Sequence, residues 1–547
     1  MKTLTKTGLI LIVLLAFTIT LPAQEIFDAV RKGDLAKVKE LVEKDPQLVK
    51  ARDRNQTTPL HIAADMNNEA ISKFLIEKGA DLNAVNRNYC TPLFYAGLDV
   101  VKILVEKGAN INFDSTALSA LDWAAMRNKN EVVDYLIDHG AKLPAIETNR
   151  AKNSLARMLK LGNVKYLEKF LQQGLSPLYE SESKSTLLHF AAESNSTELV
   201  NRIIDLGAPL NKTNLYGWTP LHSAAYRANK SIVELLIQKG LDKNLRTIDG
   251  SSPYNLAVEA KKDDIINYLK SVGADQNPQQ HPKLTGEFMG QLKPGKKAVP
   301  FAPGIVGVKN SFHGSITFSP DGDEAYWSVY NNKFYNFLSK RVNGKWTLPD
   351  TVASISTGDS PFISPDGNKL YFLRTAKFQG NNKEIIYVCD KNSIGWSKPY
   401  PLPDIINSVP GIHFQLSVDS KNNLYFGTNG RIIYCSEFID GSYSAPKIIE
   451  SLKEISAFAP FISPDGSYLL ISENIKGLAI FFKKKDGTWT RKRSISEIIG
   501  TYGDRPIVSW DGKYLFFLKE IDDTTIPFWV DASFIEDLRK EALKDDK

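Results

Sequence analysis

From residue 25 to about 277, apolar residues recur at three- and four-residue intervals in short runs, and most runs close on a glycine. The stretch EAISKFLIEKGA, from Glu69, shows the pattern: Ile71, Phe74 and Leu75 fall on one helical face and Gly79 follows. From about residue 285 the period changes. Short runs rich in Tyr, Phe and Ile (KLYFLR, EIIYVCD, NLYFGT, YLFFLK) alternate with clusters of Gly, Asp, Asn and Pro, which is the pattern of strands and turns. The polar segment DQNPQQHPKLTGEF, Asp275–Phe288, carries two prolines and separates the two regimes. The reading is a multidomain α plus all-β chain: a leader over 1–24, a helical solenoid over 25–277, a linker over 278–284 and a β domain over 285–547.

The helical half repeats. TPLHIAA begins at Thr58, TPLFYA at Thr91, SALDWAA at Ser119, TLLHFAA at Thr186, TPLHSAA at Thr219 and SPYNLAV at Ser252, at steps of 33, 28, 67, 33 and 33. The step of 67 hides one degenerate unit near Asn153, so about eight units are expected, with packing loosened where SLARMLKLG replaces the motif. Thr58 can cap a helix, and Pro59 sits at the first helical position, where no amide donor is needed. One helix pair cannot bury its apolar faces alone, but a stack can. Motif, period and glycine position together resemble the ankyrin repeat family over about Glu25 to Asp275. The second unit departs from the pattern by lacking four residues in its first helix. The resemblance makes His61, His189 and His222 structural hydrogen-bonding residues, and the stripe Ile62, Tyr95, Trp123, Phe190 and Leu256 reads as packing.

The β half repeats as well. Ser319-Pro-Asp-Gly322 returns as Ser364-Pro-Asp-Gly367, Ser417-Val-Asp-Ser420, Ser463-Pro-Asp-Gly466 and Ser509-Trp-Asp-Gly512, at steps of 45, 53, 46 and 46. Pro presets a turn, Asp bonds the local backbone and Gly accepts positive φ, so each phrase is a hairpin turn. Four short strands per step is the period of a propeller blade. The last unit lacks a fourth strand, and the segment KKAVPFAPGIVGVKN before the first unit resembles the missing one, so it is expected to close the ring. That makes five blades. Six is the alternative, if the segment from Leu284 and the C-terminal tail form another. The Ser-Pro-Asp-Gly phrase resembles the TolB-type, WD-repeat-like bacterial β-propellers over about Leu284 to Leu538.

Composition adds bounds. At 547 residues with a net charge of +6, the chain is too long for one core and too weakly charged to argue for nucleic acid. Lys2 and Lys6 precede the apolar run Leu9–Leu21 and then PAQE, a secretory signal with cleavage expected after Ala23 or Gln24, or else a signal anchor. No cysteine follows that run, so no lipid anchor is expected, and no later stretch reads as a membrane span. The expected location is periplasmic or secreted. Three cysteines, Cys90, Cys389 and Cys435, do not make a disulfide framework and read as buried small residues.

Candidate chemistry lies at two places. Aligned on the turn serine, the starts of the inner strands offer His313, Ser315, Asp359, Ser360, His413, Asp504 and Arg505 at the mouth of the propeller channel, where they could hold a metal or an anionic ligand. The competing reading, a wet rim with no specific ligand, is preferred, because the set mixes signs and has no tight spacing. The ankyrin resemblance implies partner contacts at loop tips and first-helix ends. These are Arg54, Asn55, Asp65, Met66, Arg87, Tyr89, Met126, Arg127, Tyr216, Tyr226 and Arg227, or else a varied solvated surface. The basic residues Lys483, Lys484, Lys485, Arg491, Lys492 and Arg493 read as a solvated edge. No nucleophile elbow, zinc-protease motif or phosphate loop is present, and no cofactor or metal is expected. The functional expectation is a non-enzymatic binding or adaptor protein, with a protein partner on the ankyrin face and a peptide, protein or glycan at the propeller. The alternative is an enzyme or carbohydrate-binding protein whose channel brings His413, Asp359 and Asp504 together.

Overall fold

The computed structural model describes residues 24–544 apart from 114–118, 280–281, 283, 307–310, 353–354, 356, 394, 474–476 and 523. Of the leader expected over 1–24, residues 1–23 lie outside the described residues. The chain divides into two compact units, one mainly helical and one mainly β.

The helical unit is a stack of short pairs. Pro59–Asp65 is followed by Glu69–Glu77, Pro220–Arg227 by Lys230–Gln238, and the same alternation runs from helix 24–31 to Asp263–Ser271. From Thr58 onward, first helices start on a hydroxyl residue. Thr58 and Ser119 accept from the amides of His61 and Asp122 and complete capping boxes. From Glu69–Glu77 onward, each second helix ends just before a left-handed glycine, as at Gly79 with φ of 84°. His61 shows how one unit holds the next. Its Nδ1 accepts from the amide and hydroxyl of Thr58 at 3.2 and 2.8 Å, so the proton sits on Nε2, which donates to the carbonyl of Cys90 at 3.0 Å in the following unit. His189 and His222 make the same contact with Thr186 and Thr219.

Two irregular units keep their packing. The truncated helix Pro92–Tyr95 has four residues where Pro59–Asp65 has seven. Lys129 from the next unit reaches back and donates to the freed carbonyls of Tyr95 and Ala96, both at 3.0 Å. The unit near Asn153 is not loosely packed, contrary to its weak motif. Its first helix runs Asn149–Lys160, longer than its siblings, and buries Ala151, Leu155, Ala156, Met158 and Leu159. The motif is gone but the apolar spacing remains, and spacing is what packing requires.

The β unit has five blades among the described residues. The inner strands are Ser311–Phe318, Asp359–Ile363, Ile412–Val418, Ala457–Ile462 and Asp504–Val508. Each pairs antiparallel with the strand that follows it, and each sheet continues outward to a short fourth strand. In the last blade that fourth strand comes from before the first blade. Val299 and Pro300 pair with Trp529 and Phe528, and the amide of Phe301 donates to the carbonyl of Pro527 at 2.8 Å. The ring is therefore closed by joining the two ends of the domain. A sixth blade is absent among the described residues. The segment from Leu284 lies against the first blade through the Thr285–Lys345 bridge, and Phe534–Ala542 is a helix.

The repeated phrase is the hairpin at the outlet of each inner strand. In the fourth blade, Ser463 donates to Asp465 at 2.7 Å and accepts from the amides of Ser467 and Tyr468, while Gly466 takes φ of 69°. The third blade shifts this turn by two residues relative to the phrase Ser417–Ser420. Asp419 accepts from the amides of Lys421 and Asn423, and Asn422 takes the left-handed position at φ of 63°. Aspartate there supplies the acceptor that serine supplies elsewhere, and asparagine tolerates the conformation that glycine favours.

Two outcomes test these assignments. Burial holds the His61 imidazole below its ordinary pKa, so the unfolded chain takes up a proton first as pH falls. The helical unit should lose stability as pH drops below about 6.5, and His61→Gln should flatten that slope in urea melts followed across pH. In the propeller, Gly466→Ala should lower stability by about 1 kcal/mol, whereas Asn422→Gly should leave it equal or raised, both read from denaturant midpoints.

Candidate functional site

A bulge recurs in all five inner strands, and it builds the channel mouth. The register breaks at Phe312/Gly314, Asp359/Phe362, Ile412/Leu416, Phe458/Phe461 and Asp504/Ile507. In four blades the bulge carries a non-glycine residue at positive φ: Ser360 at 50°, Phe414 at 70°, Ala459 at 49° and Arg505 at 50°. Such residues cost on the order of 1 kcal/mol each, and their clustering around one axis marks a candidate site. In three blades proline follows directly, at Pro361, Pro460 and Pro506. This x-Pro step, four residues before the turn serine, was readable in the sequence but overshadowed by the turn phrase itself.

The channel is bridged rather than open. Gln415 of the third blade donates through Nε2 to the carbonyl of Pro506 in the fifth at 2.8 Å. The guanidinium of Arg505 lies 5.9 Å from the centroid of the Phe414 ring, which again joins the fifth and third blades. Ser315 is buried and donates to the carbonyl of Arg505, so its role is to join the first and last blades.

The other expected mouth residues sort into separate pairs. Asp359 is buried. It takes a hydrogen bond from Ser328 at 2.8 Å and pairs with Nδ1 of His313 at 2.7 Å. Burial alone would raise its pKa, but the His313 hydrogen bond and charge, the Arg505 charge and the Ser328 hydroxyl outweigh it and hold the carboxyl below its usual range. His413 pairs through Nδ1 with Oε2 of Glu384, a residue that no sequence pattern singled out. Asp504 lies 3.5 Å from Arg505. Ser360 is buried, and its amide donates to Asp359. His413, Asp359 and Asp504 thus have three different partners, and among the described residues no group of three potential ligands is placed to hold a metal. The convergence expected of a channel enzyme is not found.

Beside the two histidines lies a cavity of about 300 Å³ lined by Tyr330, Asn332, Lys333, Phe334, Thr357, Leu373, Arg374, Thr375 and Glu384. His313 meets Phe334 edge to face at 4.9 Å, which joins the cavity wall to the Asp359 pair. The hairpin tips that form it were not identifiable from sequence, because they lie far from the repeated turns.

Of the residues expected to meet a partner, Arg54, Asn55, Asp65, Met66, Arg87, Tyr89, Met126, Arg127 and Arg227 are exposed, while Tyr216 and Tyr226 are half-buried. Met66, Tyr89 and Met126 stand 47%, 58% and 43% exposed. The stripe residues pack as expected, with Tyr95 and Trp123 edge to face at 5.7 Å. The free thiols have no exposed reactive form. Cys90 and Cys389 are buried, and burial pushes the Cys389 and Cys435 thiols up to about 11. Of the basic cluster, Lys492 is engaged by the buried carboxylate of Glu473 at 2.9 Å.

Removing the centre of the best-satisfied pair should be costly. Asp359→Ala strands the Ser328 hydroxyl and His313, and should lower propeller stability by about 3 kcal/mol in urea unfolding. His413→Ala, at a half-exposed pair, should cost under about 1 kcal/mol.

A family model for ankyrin repeats, in three copies, matches residues 26–115, 85–147 and 188–280. A transient receptor potential channel subfamily A member 1 homologue of Caenorhabditis elegans is 33% identical over 115 residues, covering 20% of this chain and 10% of that protein. The serine/threonine-protein kinase VIK of Arabidopsis thaliana is 47% identical over 62 residues, 11% of this chain and 14% of the kinase. The ankyrin repeat and KH domain-containing protein mask-1 of C. elegans is 26% identical over 207 residues, 32% of this chain and 8% of its own length. The chain thus spans no more than 14% of any of the three. Sequence match and structure agree on an ankyrin-repeat region over 24–280, and the structure follows it with an all-β region arranged as a five-bladed propeller.

Proposed function

We propose that this is a non-enzymatic binding or adaptor protein, exported to the periplasm or exterior of a bacterial cell, whose ankyrin face holds a protein partner and whose TolB-like propeller mouth holds a second ligand. Ankyrin repeats point to protein–protein interaction. Export is supported by the basic start and the short apolar run Leu9–Leu21. Among the described residues no helix is long and apolar enough to cross a membrane.

The observation that carries the partner reading is Tyr89. It occupies the left-handed position of its finger turn, φ of 57°, two residues before the capping Thr91. The same position is glycine in two sibling turns, Gly217 and Gly250. Gln56 and Lys184 hold the same left-handed position in two other turns, both at φ of 59°, so what sets Tyr89 apart is a ring that stands 58% exposed. With Met66 and Met126 it supplies the apolar and aromatic contacts that interfaces favour, and Arg87 and Arg127 supply charge beside them.

Tyr89→Gly separates the two roles. It should hold or raise the stability of the helical unit by up to about 1 kcal/mol by relieving the backbone. It should also abolish cross-linking of the partner through a photo-reactive residue at Met126 in cell-envelope preparations. Capture unchanged in Tyr89→Gly, or equal capture from position 73 on the outer helix, would remove the partner reading.

A further inference from the structure

The mouth of the propeller contains a cation with no direct ion-pair partner among the described residues. Arg431 sits at the tip of the hairpin joining Leu424–Thr428 to Ile433–Ser436, at φ of 61°. Its guanidinium lies 4.8 Å from the centroid of Phe414 and 4.2 Å from that of Phe458, two rings 4.8 Å apart. Its backbone is fixed as well, because the carbonyl of Arg431 accepts from the amide of Ala457 at 3.0 Å. Among the described residues, no carboxylate comes within salt-bridge distance of this guanidinium, and its Nη1 is buried without a hydrogen-bond partner.

A second guanidinium shares the same ring. Arg505 approaches Phe414 to 5.9 Å, has a side chain only 11% exposed, and buries its Nε without a partner. Its charge is answered only in part, by Asp504 at 3.5 Å and by the more distant Asp359, which His313 and Ser328 already engage. Burial and the charge of Arg505 both depress the basicity of Arg431, with Asp504 opposing them. Two like charges drawn out of water around one phenyl ring are unfavourable unless something of opposite sign completes them. Aromatic faces hold both guanidinium planes in place, so the donors are set before any ligand arrives.

We propose that Arg431 and Arg505, over the Phe414–Phe458 floor, form a binding site for a single oxyanion, a carboxylate or phosphate group carried by the propeller's ligand. This deepens the reading of the mouth as a ligand-binding face and rests on it, while remaining independent of the ankyrin partner. The guanidinium fork suits a two-oxygen group. The aromatic floor suits a ligand with apolar or sugar-ring surface next to that group.

Isothermal titration of the full chain with sodium acetate, inorganic phosphate, sodium glucuronate and methyl glucuronate ester, against sodium chloride at matched ionic strength, tests this. Saturable binding of glucuronate or acetate but not the ester identifies a carboxylate source. Saturable binding of phosphate alone identifies a phosphoryl source. Arg431→Gln and Arg505→Gln should each weaken the responding probe at least tenfold, and Tyr89→Gly should leave it unchanged. Should Arg505→Gln disturb the channel, Arg431→Gln at the half-buried hairpin tip, checked by an unchanged circular dichroism spectrum, keeps the test clean. No saturable binding of any of the charged probes, or binding unaffected by Arg431→Gln, overturns the proposal. An ankyrin partner captured normally in Arg431→Gln would show that the two faces fail or hold separately.

Discussion

Neighbouring units in this chain complete one another's hydrogen bonding, and that constraint governs the rest. In the helical stack, the carbonyl of Cys90 is met by His61 of the preceding unit. Asparagines repeat the theme: Asn83, Asn112, Asn211 and Asn244 each accept a backbone amide from the following unit, at residues 110, 142, 242 and 275. In the ring, Trp510 donates to the carbonyl of Phe318, Ser417 to that of Pro460, and Trp396 to the hydroxyl of Tyr326. A buried polar group left unmet costs more than the bond it would make is worth, so each unit is ordered by its neighbours.

The two architectures solve the problem of ends differently. A line of repeats needs a polar terminal unit, and Leu35–Lys44 buries Val38, Leu41 and Val42 while exposing Lys39, Glu40, Glu43 and Lys44. A ring has no ends if its last blade borrows a strand, and Val299–Pro300 provides it. Closing five blades makes a narrow channel, and residues opposite one another then touch. That is why Gln415 can reach Pro506, and why Phe414 and Arg505 meet across the axis. The strained bulges turn these side chains to where they meet, so the closure of the fold and the chemistry of the mouth share one cause.

Much of this was legible in the sequence because repetition amplifies weak local signals. Thr58, Pro59 and Gly79 each say little alone, yet their recurrence fixes helix starts and stops, and Ser319 to Gly322 does the same for blades. The borrowed strand was legible from its likeness to its siblings. What escaped was whatever one blade does differently. Asp419 and Asn422 rebuild the third turn two residues late with different chemistry, which a serine-based alignment misplaces. Glu384 lies within the strand Asn381–Asn392 and Arg431 on a hairpin tip, both away from the repeated turns, and only the packing of the blades brings them beside His413 and Arg505. Asp359, His413 and Asp504 each lie near the start of an inner strand, but one residue per blade does not reveal which will pair, since that depends on side-chain reach across the ring.

The central claim is that the β region is a ring shut by the strand before its first blade. Hydrogen–deuterium exchange on the full chain reads this directly at the amide of Phe301, which is bonded to Pro527. Peptides covering 298–302 should be protected to the same degree as those covering 524–531 and should open together with them in denaturant. Exchange of 298–302 at the rate of a free loop, while 524–531 stays protected, would mean that the ring is open and that the mouth described here is not assembled.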